Sequence, residues 1–300
     1  MKRLATPVKV TAPGVGVEPA LAELLRPGQS IELLKKLHIL TREGRLNQDS
    51  RRKLKQVYHL YQFIEKLLLD LERTAEKEGT QARGELTLAD HGAGKSYLGF
   101  VLYDLFFKNR VDGLIYGVET RAELVKNSQN LAQELGFERM RFVNASVRAS
   151  ARRTDLPSHI DVVTALHACD TATDDAIAFG LQKQARCMVL VPCCQAELAR
   201  TLNGNKALSL SRTPLAELWR HPLHTREFGS QLTNVLRCLY LESRGYQVTV
   251  TELVGWEHSL KNELIIARYT PRPKMSARRR LMELLTQFGL ESLAPIRYPA

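Results

Sequence analysis

Residues 86–119 constrain the fold of this chain more than any other stretch, reading LTLADHGAGKSYLGFVLYDLFFKNRVDGLIYGVE. A short apolar run with Leu86, Leu88 and Ala89 ends in Asp90-His91-Gly92-Ala93-Gly94. A helical pattern follows, and a second apolar run over 114–118 closes on Glu119. This is the grammar of a β-α-β unit that holds a nucleotide-like ligand. Gly92 and Gly94 permit a tight turn and let a ligand approach a backbone that carries no Cβ. A carboxylate at the end of the second strand can accept both hydroxyls of a ribose. Glu119 stands 25 residues after Gly94, near the roughly 20 expected of a ribose-binding acid.

Two chemistries compete for the loop. ADHGAGKS, residues 89–96, also fits a relaxed P-loop in which Ala89 replaces the first glycine. That reading implies a nucleotide-binding ATPase or kinase, whose loop presents backbone N–H groups and a lysine to phosphates. Asp90 would then repel the ligand from inside its own cradle. No later apolar strand ends in a magnesium-holding acid either, since 160–166 runs into His167 and 187–191 into Pro192. Asp90 suits the cationic amino group of a methionine moiety better. The loop therefore reads as a site for S-adenosylmethionine, with the P-loop enzyme as the alternative.

The rest of the chain fits that unit. Apolar residues Leu54, Val57, Tyr58, Tyr61, Ile64, Leu68 and Leu71 recur at helical spacing, predicting an amphipathic helix over 49–77 capped by Asp49 or Ser50. Shorter helices are predicted over 18–25 and 31–40. Strands at 86–90, 113–118, 140–144, 160–166 and 187–191 alternate with helices at 95–108, 120–135 and 171–184. Gly136 serves as a C-cap. Such alternation forces a parallel sheet covered on both faces. A helix over 225–243 precedes two β-rich runs, 246–253 and 264–269, whose short connection makes them antiparallel. The expected fold is α/β, a Rossmann-like seven-stranded methyltransferase sheet with a helical N-terminal extension. The expected division is a helical, basic extension over 1–80, the Rossmann-like domain over 81–270 and a basic tail with a short helix over 271–300.

Charge distribution bears on partners. The chain has 300 residues and a net charge of +11. Residues 1–85 hold 16 Lys/Arg against 11 Asp/Glu, and residues 271–300 hold 6 against 2. The intervening domain is nearly balanced, with 21 against 19. Basic flanks attract nucleic acid, although they also serve as solubilising surface. No run of about 18 apolar residues is present, so no membrane span is expected. The N-terminus lacks a secretory core. The five cysteines follow no disulfide spacing, which points to a reducing compartment, the cytoplasm. Nothing in the pattern indicates an oligomeric state.

Three blocks, Asp90-His91-Gly92-Ala93-Gly94-Lys95 with Tyr97-Leu98, His167-Ala168-Cys169-Asp170-Thr171-Ala172-Thr173-Asp174, and Val191-Pro192-Cys193-Cys194-Gln195, carry a resemblance. Together they resemble a group of class I methyltransferases that includes the methyltransferase-like part of glutathione S-transferase C-terminal-domain-containing protein. The likeness covers about residues 50–270. It implies an S-adenosylmethionine-dependent fold and leaves the acceptor open, because fold does not fix function.

Asp90, Gly92, Gly94 and Glu119 are the expected donor-binding residues, joined by Asn144 and Ala145 at the end of the third strand, where the adenine edge lies. Asn144 is equally a turn residue. The ends of strands four and five bring His167, Cys169 and Asp170 near Cys193 and Cys194. Three readings stand for this edge. His167 or Asp170 positions or deprotonates the acceptor, with His167 also near the donor. Alternatively Cys193 or Cys194 is a nucleophile, as in cytosine-5 RNA methyltransferases. Otherwise His167, Cys169 and the pair Cys193 and Cys194 hold zinc, which adjacent cysteines without a C-x-x-C do poorly. The bland reading makes the cysteines core and the acids helix caps. No metal site is expected. RNA is the first expected acceptor and protein the second.

Overall fold

The computed structural model describes residues 24–77, 85–166, 168–192, 195–205, 214–253 and 263–300. The helix predicted over 18–25 falls almost wholly outside the described residues.

Helix α1 (Ile31–Lys36) is capped by Ser30, whose hydroxyl accepts the Leu33 N–H at 3.2 Å. Helix α2 (Gln48–Lys77) begins one residue earlier than its pattern predicts. Its cap is Asn47 rather than Asp49 or Ser50: the Asn47 amide oxygen accepts the Ser50 N–H at 2.8 Å. The stripe Leu54, Val57, Tyr61, Ile64 and Leu68 is buried, as the helical spacing requires.

The chain then alternates β1 (Thr87–His91), α3 (Tyr97–Leu105), β2 (Leu114–Glu119), α4 (Ala122–Glu134), β3 (Met140–Asn144), α5 (Val147–Ser150) and β4 (Val162–Leu166). It continues through α6 (Thr171–Gln182), β5 (Cys187–Val191), α7 (Glu197–Asn205) and α8 (Pro222–Ser243). Strands β6 (Tyr246–Glu252) and β7 (Glu263–Tyr269) complete the sheet, followed by α9 (Met275–Gln287) and the single turn α10 (Ala294–Arg297).

The seven strands lie in the order β3-β2-β1-β4-β5-β7-β6. Strands β1 to β5 pair in parallel, and β7 pairs antiparallel with both β5 and β6. This is the Rossmann-like methyltransferase sheet. The winding reverses between β1 and β4, which opens a crevice at the carboxyl ends of those strands.

One core covers each face of the sheet. Leu54, Leu60 and Ile64 of α2 join Phe100 and Leu102 of α3 and Ile115 of β2 in one of them. The opposite face packs Phe179 of α6, Leu236 and Leu239 of α8, and Leu281 and Leu285 of α9 against β4, β5 and β7. Both flanking helices therefore bury their apolar sides in the same two layers as the domain they border. Helices α5 and α7 have no counterpart in the sequence reading. They are short, and α7 is capped by a residue far away along the chain, as described next.

Candidate functional site

The turn after β1 is wound left-handed at Gly92 (φ 66°), Gly94 (φ 58°) and Ser96 (φ 55°). Side chains other than glycine rarely accept this conformation. The turn is tied to β2: the N–H groups of Gly92 and Ala93 donate to the Val118 carbonyl at 3.0 and 3.1 Å. The Gly94 N–H donates to the Glu119 carboxylate at 2.8 Å. Register explains the arrangement, because His91 stands opposite Val118 and leaves Glu119 level with the turn.

Glu119 is 7% exposed. Its Oε1 accepts from the Thr120 hydroxyl, the Arg121 N–H and the Arg121 guanidinium at 3.0–3.1 Å. Burial pushes its pKa up, but the Arg121 guanidinium, the Arg121 N–H and the Gly94 N–H outweigh it, and the carboxyl falls to about 2. Glu119 is thus a fixed negative charge at the mouth of the turn. The Arg121 side chain is largely exposed.

Asp90 lies between Gly117 and Thr164 in the sheet. It is buried, and the Thr164 hydroxyl donates to it at 2.7 Å. Burial raises its carboxyl to about 7, against the lowering effect of Thr164. A carboxylic acid poised this way gains a full charge when a cation arrives. Asn144 donates its amide hydrogens to the Glu119 and Thr120 carbonyls at 3.0 and 2.8 Å. The Ala145 N–H donates to the Glu119 carbonyl at 3.1 Å. Both residues hold the end of β3 against the acid.

These contacts also weigh the P-loop alternative. A phosphate cradle needs outward-facing N–H groups. Here the first three of the turn are occupied by Val118 and Glu119, and a carboxylate sits where polyphosphate would lie. Lys95 is exposed. The residues present fit a donor with a cationic amino group and ribose hydroxyls, since one carboxyl awaits a positive charge and another stays ionised.

At the neighbouring edge, His167, Cys193 and Cys194 lie outside the described residues. Asp170 is described, and it reaches across the edge rather than into a cleft. Its Oδ1 accepts the N–H groups of Ala196 and Glu197, both at 2.9 Å, and its Oδ2 pairs with Arg200 at 3.0 Å. It caps α7 and makes no side-chain cap on its own helix α6. Burial raises its pKa, but the two N–H groups and Arg200 win, so the carboxyl stays below its ordinary value. Such an acid is a weak proton acceptor and an effective clamp.

Sequence reasoning missed the residues that lock this edge. Arg237 of α8 is 1% exposed. Its guanidinium pairs with Asp174 at 2.9 and 2.6 Å and donates to the Asp170 carbonyl at 2.8 Å. It also donates to the Asn234 amide oxygen at 3.1 Å, which accepts in turn from Gln195 at 3.2 Å. Asn234 donates to Glu263 of β7 at 2.7 Å. The loops after β4 and β5 are therefore fastened to α8 by one polar network. The available signal was two polar residues three apart on the apolar stripe of Leu232, Leu236 and Leu239.

His91 is a second omission. Its ring is fully buried, edge-on to Phe179 at 4.3 Å, and neither nitrogen has a partner among the described residues. Burial lowers its pKa to about 3, so it is neutral. Cys187 and Cys238 are buried or half-buried thiols that burial pushes up to about 11 and about 12. Among the described residues no cluster of metal-ligating side chains occurs and no helix is long and apolar enough to cross a membrane.

The family described as "Methyltransferase domain" matches residues 52–201, half of the chain. Among curated proteins no sequence matches. Solved structures that resemble the chain include magnesium protoporphyrin IX methyltransferase from Synechocystis PCC 6803 with bound SAH. It shares 14% identity over 80% of this chain and 93% of that one, with a TM-score of 0.43. Fibrillarin from Aeropyrum pernix, with natively bound S-adenosyl-L-methionine, shares 13% over 61% and 66%, with a TM-score of 0.38. Precorrin-6y C5,15-methyltransferase from Geobacter metallireducens GS-15 shares 17% over 62% and 81%, with a TM-score of 0.37. Likenesses this distant carry no argument about substrate.

Proposed function

Because this chain belongs to the methyltransferase-domain family and is an S-adenosylmethionine-dependent methyltransferase, we propose that it methylates RNA, with protein as the second acceptor class. The observation that supports RNA is the placement of charge. The excess of Lys and Arg belongs to residues 1–85 and 271–300, while the domain between them is nearly balanced. Basic borders around a neutral catalytic domain attract a polyanion electrostatically.

When bound, the donor supplies a methyl group on an already activated sulfonium. The chain's own work is positioning, which can supply most of the acceleration of such a transfer. Asp90 holds the cationic amino group, and the glycine turn lets the donor lie against backbone. Glu119, ionised throughout the physiological range, accepts the ribose hydroxyls in place of the Arg121 guanidinium. Asn144 and Ala145 border the adenine. Asp170 holds the loops after β4 and β5 together through the α7 N-terminus. His167, Cys193 and Cys194 follow β4 and β5 in sequence and lie outside the described residues; either His167 or Asp170 positions or deprotonates the acceptor, or Cys193 or Cys194 acts as a nucleophile. The irregular cysteine spacing supports a reducing, cytoplasmic setting.

The test is incubation with tritiated methyl donor and separated RNA and protein pools from a deletion strain. Label in the RNA pool is the expected result. Label confined to protein overturns the RNA assignment, and no transfer despite donor binding marks a binding protein that has lost catalysis.

A further inference from the structure

A groove of about 990 Å³ opens beside the glycine turn, between the 31–47 segment and α4. One wall carries Lys35, His38 and Arg42, and the other carries Asn127 and Asn130. Lys95, which directly follows Gly94, stands at the end nearest the donor site. Acidic groups are few along it. Glu134 is cancelled by Lys36, whose ammonium lies 2.8 Å away and pins α1 to α4, leaving Glu32. Lys35, Arg42 and Lys95 take part in no ion pair among the described residues.

We propose that this groove holds the sugar–phosphate backbone of an RNA strand that flanks the methylated nucleotide. The inference rests on the RNA assignment above and names the part of the surface that would make the contact. Its lining argues for a polyanion over a small ligand. Small-molecule pockets are mostly apolar with a few convergent polar groups. This groove presents three cations that make no direct salt bridge among the described residues, Lys35 also feeling the nearby Glu43, together with side-chain amides, the groups that hold phosphates and sugars without reading bases. Neither wall would serve alone. The cations come from the N-terminal segment and from the glycine turn, and the amides come from α4. An RNA seated there leads to Lys95 and so to the donor-binding turn.

The experiment is a salt titration of a fluorescein-labelled single-stranded RNA against the full chain, read by anisotropy. Donor binding, read as a melting shift, is followed in parallel. The paired substitution Lys35→Gln with Arg42→Gln should weaken binding about tenfold at low salt. It should also make the logarithmic salt slope shallower by about 1.4, at about 0.7 per lost phosphate contact on a single strand. On the opposite wall, Asn130→Glu should weaken binding by repulsion, independently of any effect on the first wall. Donor-induced melting shifts should stay unchanged in both. A control, Arg220→Gln with Arg226→Gln, removes two exposed cations of the balanced central domain that do not line the groove, and it should leave affinity and slope unaltered.

If the native chain binds RNA and the groove substitutions leave affinity and slope unaltered, the groove assignment is wrong while the RNA assignment stands. If the native chain binds donor but no RNA, the RNA assignment itself fails and takes the groove with it. Polyglutamate competing as well as RNA for the same cations would identify an acidic protein as the occupant and overturn the proposal.

Discussion

Arg237 on α8 and Asp174 on α6 are 63 residues apart in sequence, yet their guanidinium and carboxylate meet at 2.6 and 2.9 Å beneath the loops that follow β4 and β5. The pair is nearly solvent-free, with 1% and 8% side-chain exposure. Removing Arg237 leaves Asp174 buried with only the less directly placed Arg297 as a charge partner among the described residues. Arg237→Leu should therefore cost about 3–5 kcal/mol in denaturant unfolding. Adding Asp174→Leu should recover part of that loss, because both charges are then gone. A double variant no more stable than the single one would show that the charge pair is not what fastens the loops.

Glu119 is expected to bind the donor. Glu119→Ala should lower donor affinity by about 1.5–3 kcal/mol, the scale of lost hydrogen bonds to a charged group, in calorimetric titration. An unchanged affinity removes Glu119 from the site.

The same residue has a signature in acid. Its carboxyl is held at about 2, below the ordinary glutamate value of 4.5. Its stabilisation is present above about 4.5 and is lost as pH falls from there toward 2. Thermal melts of the native chain should show this acid loss, and Glu119→Gln should show less of it.

Asp90 has the opposite sign. Its folded carboxyl, at about 7, lies above the ordinary aspartate value of 3.8. Its contribution to stability is full below about 3.8 and declines as pH rises through 7. A bound ammonium reverses the preference by stabilising the charged form. Donor affinity should rise between about pH 6 and 7.5, then fall as an α-amino group loses its own proton near about 7.7–8.0. The Asp90→Asn variant should bind more weakly and lose the rising limb. If its pH profile matches the native one, Asp90 does not face the amino group.

His91 is a buried polar ring without partners among the described residues, edge-on to Phe179. His91→Leu should raise stability by about 1–3 kcal/mol, the cost of an unsatisfied buried polar group. Its pKa is lowered to about 3, so the native chain loses stability as pH drops below about 6.5, where the unfolded imidazole takes up a proton. The Leu variant should lack that component in melts across pH 4–6. A destabilised variant would instead give His91 a bonding role.

Local chemistry determined the framework of this protein. The apolar runs and their alternation with helical patterns specify five parallel strands, and the short link after residue 253 specifies an antiparallel pair, because hydrogen-bond geometry and chain reach leave little alternative. The glycine turn and Glu119 were also legible, since both depend on spacing along one β-α-β unit, and the structure brings them within 2.8 Å. Tertiary structure alone decided where the charged side chains go. Asp170 begins α6 but caps α7, and Arg237 reaches Asp174, Asp170 and Asn234 from a helix that looks merely amphipathic. A carboxylate or guanidinium satisfies its hydrogen bonds with whatever partner the packed sheet places nearby. That partner is set by strand order, which no short stretch of sequence contains.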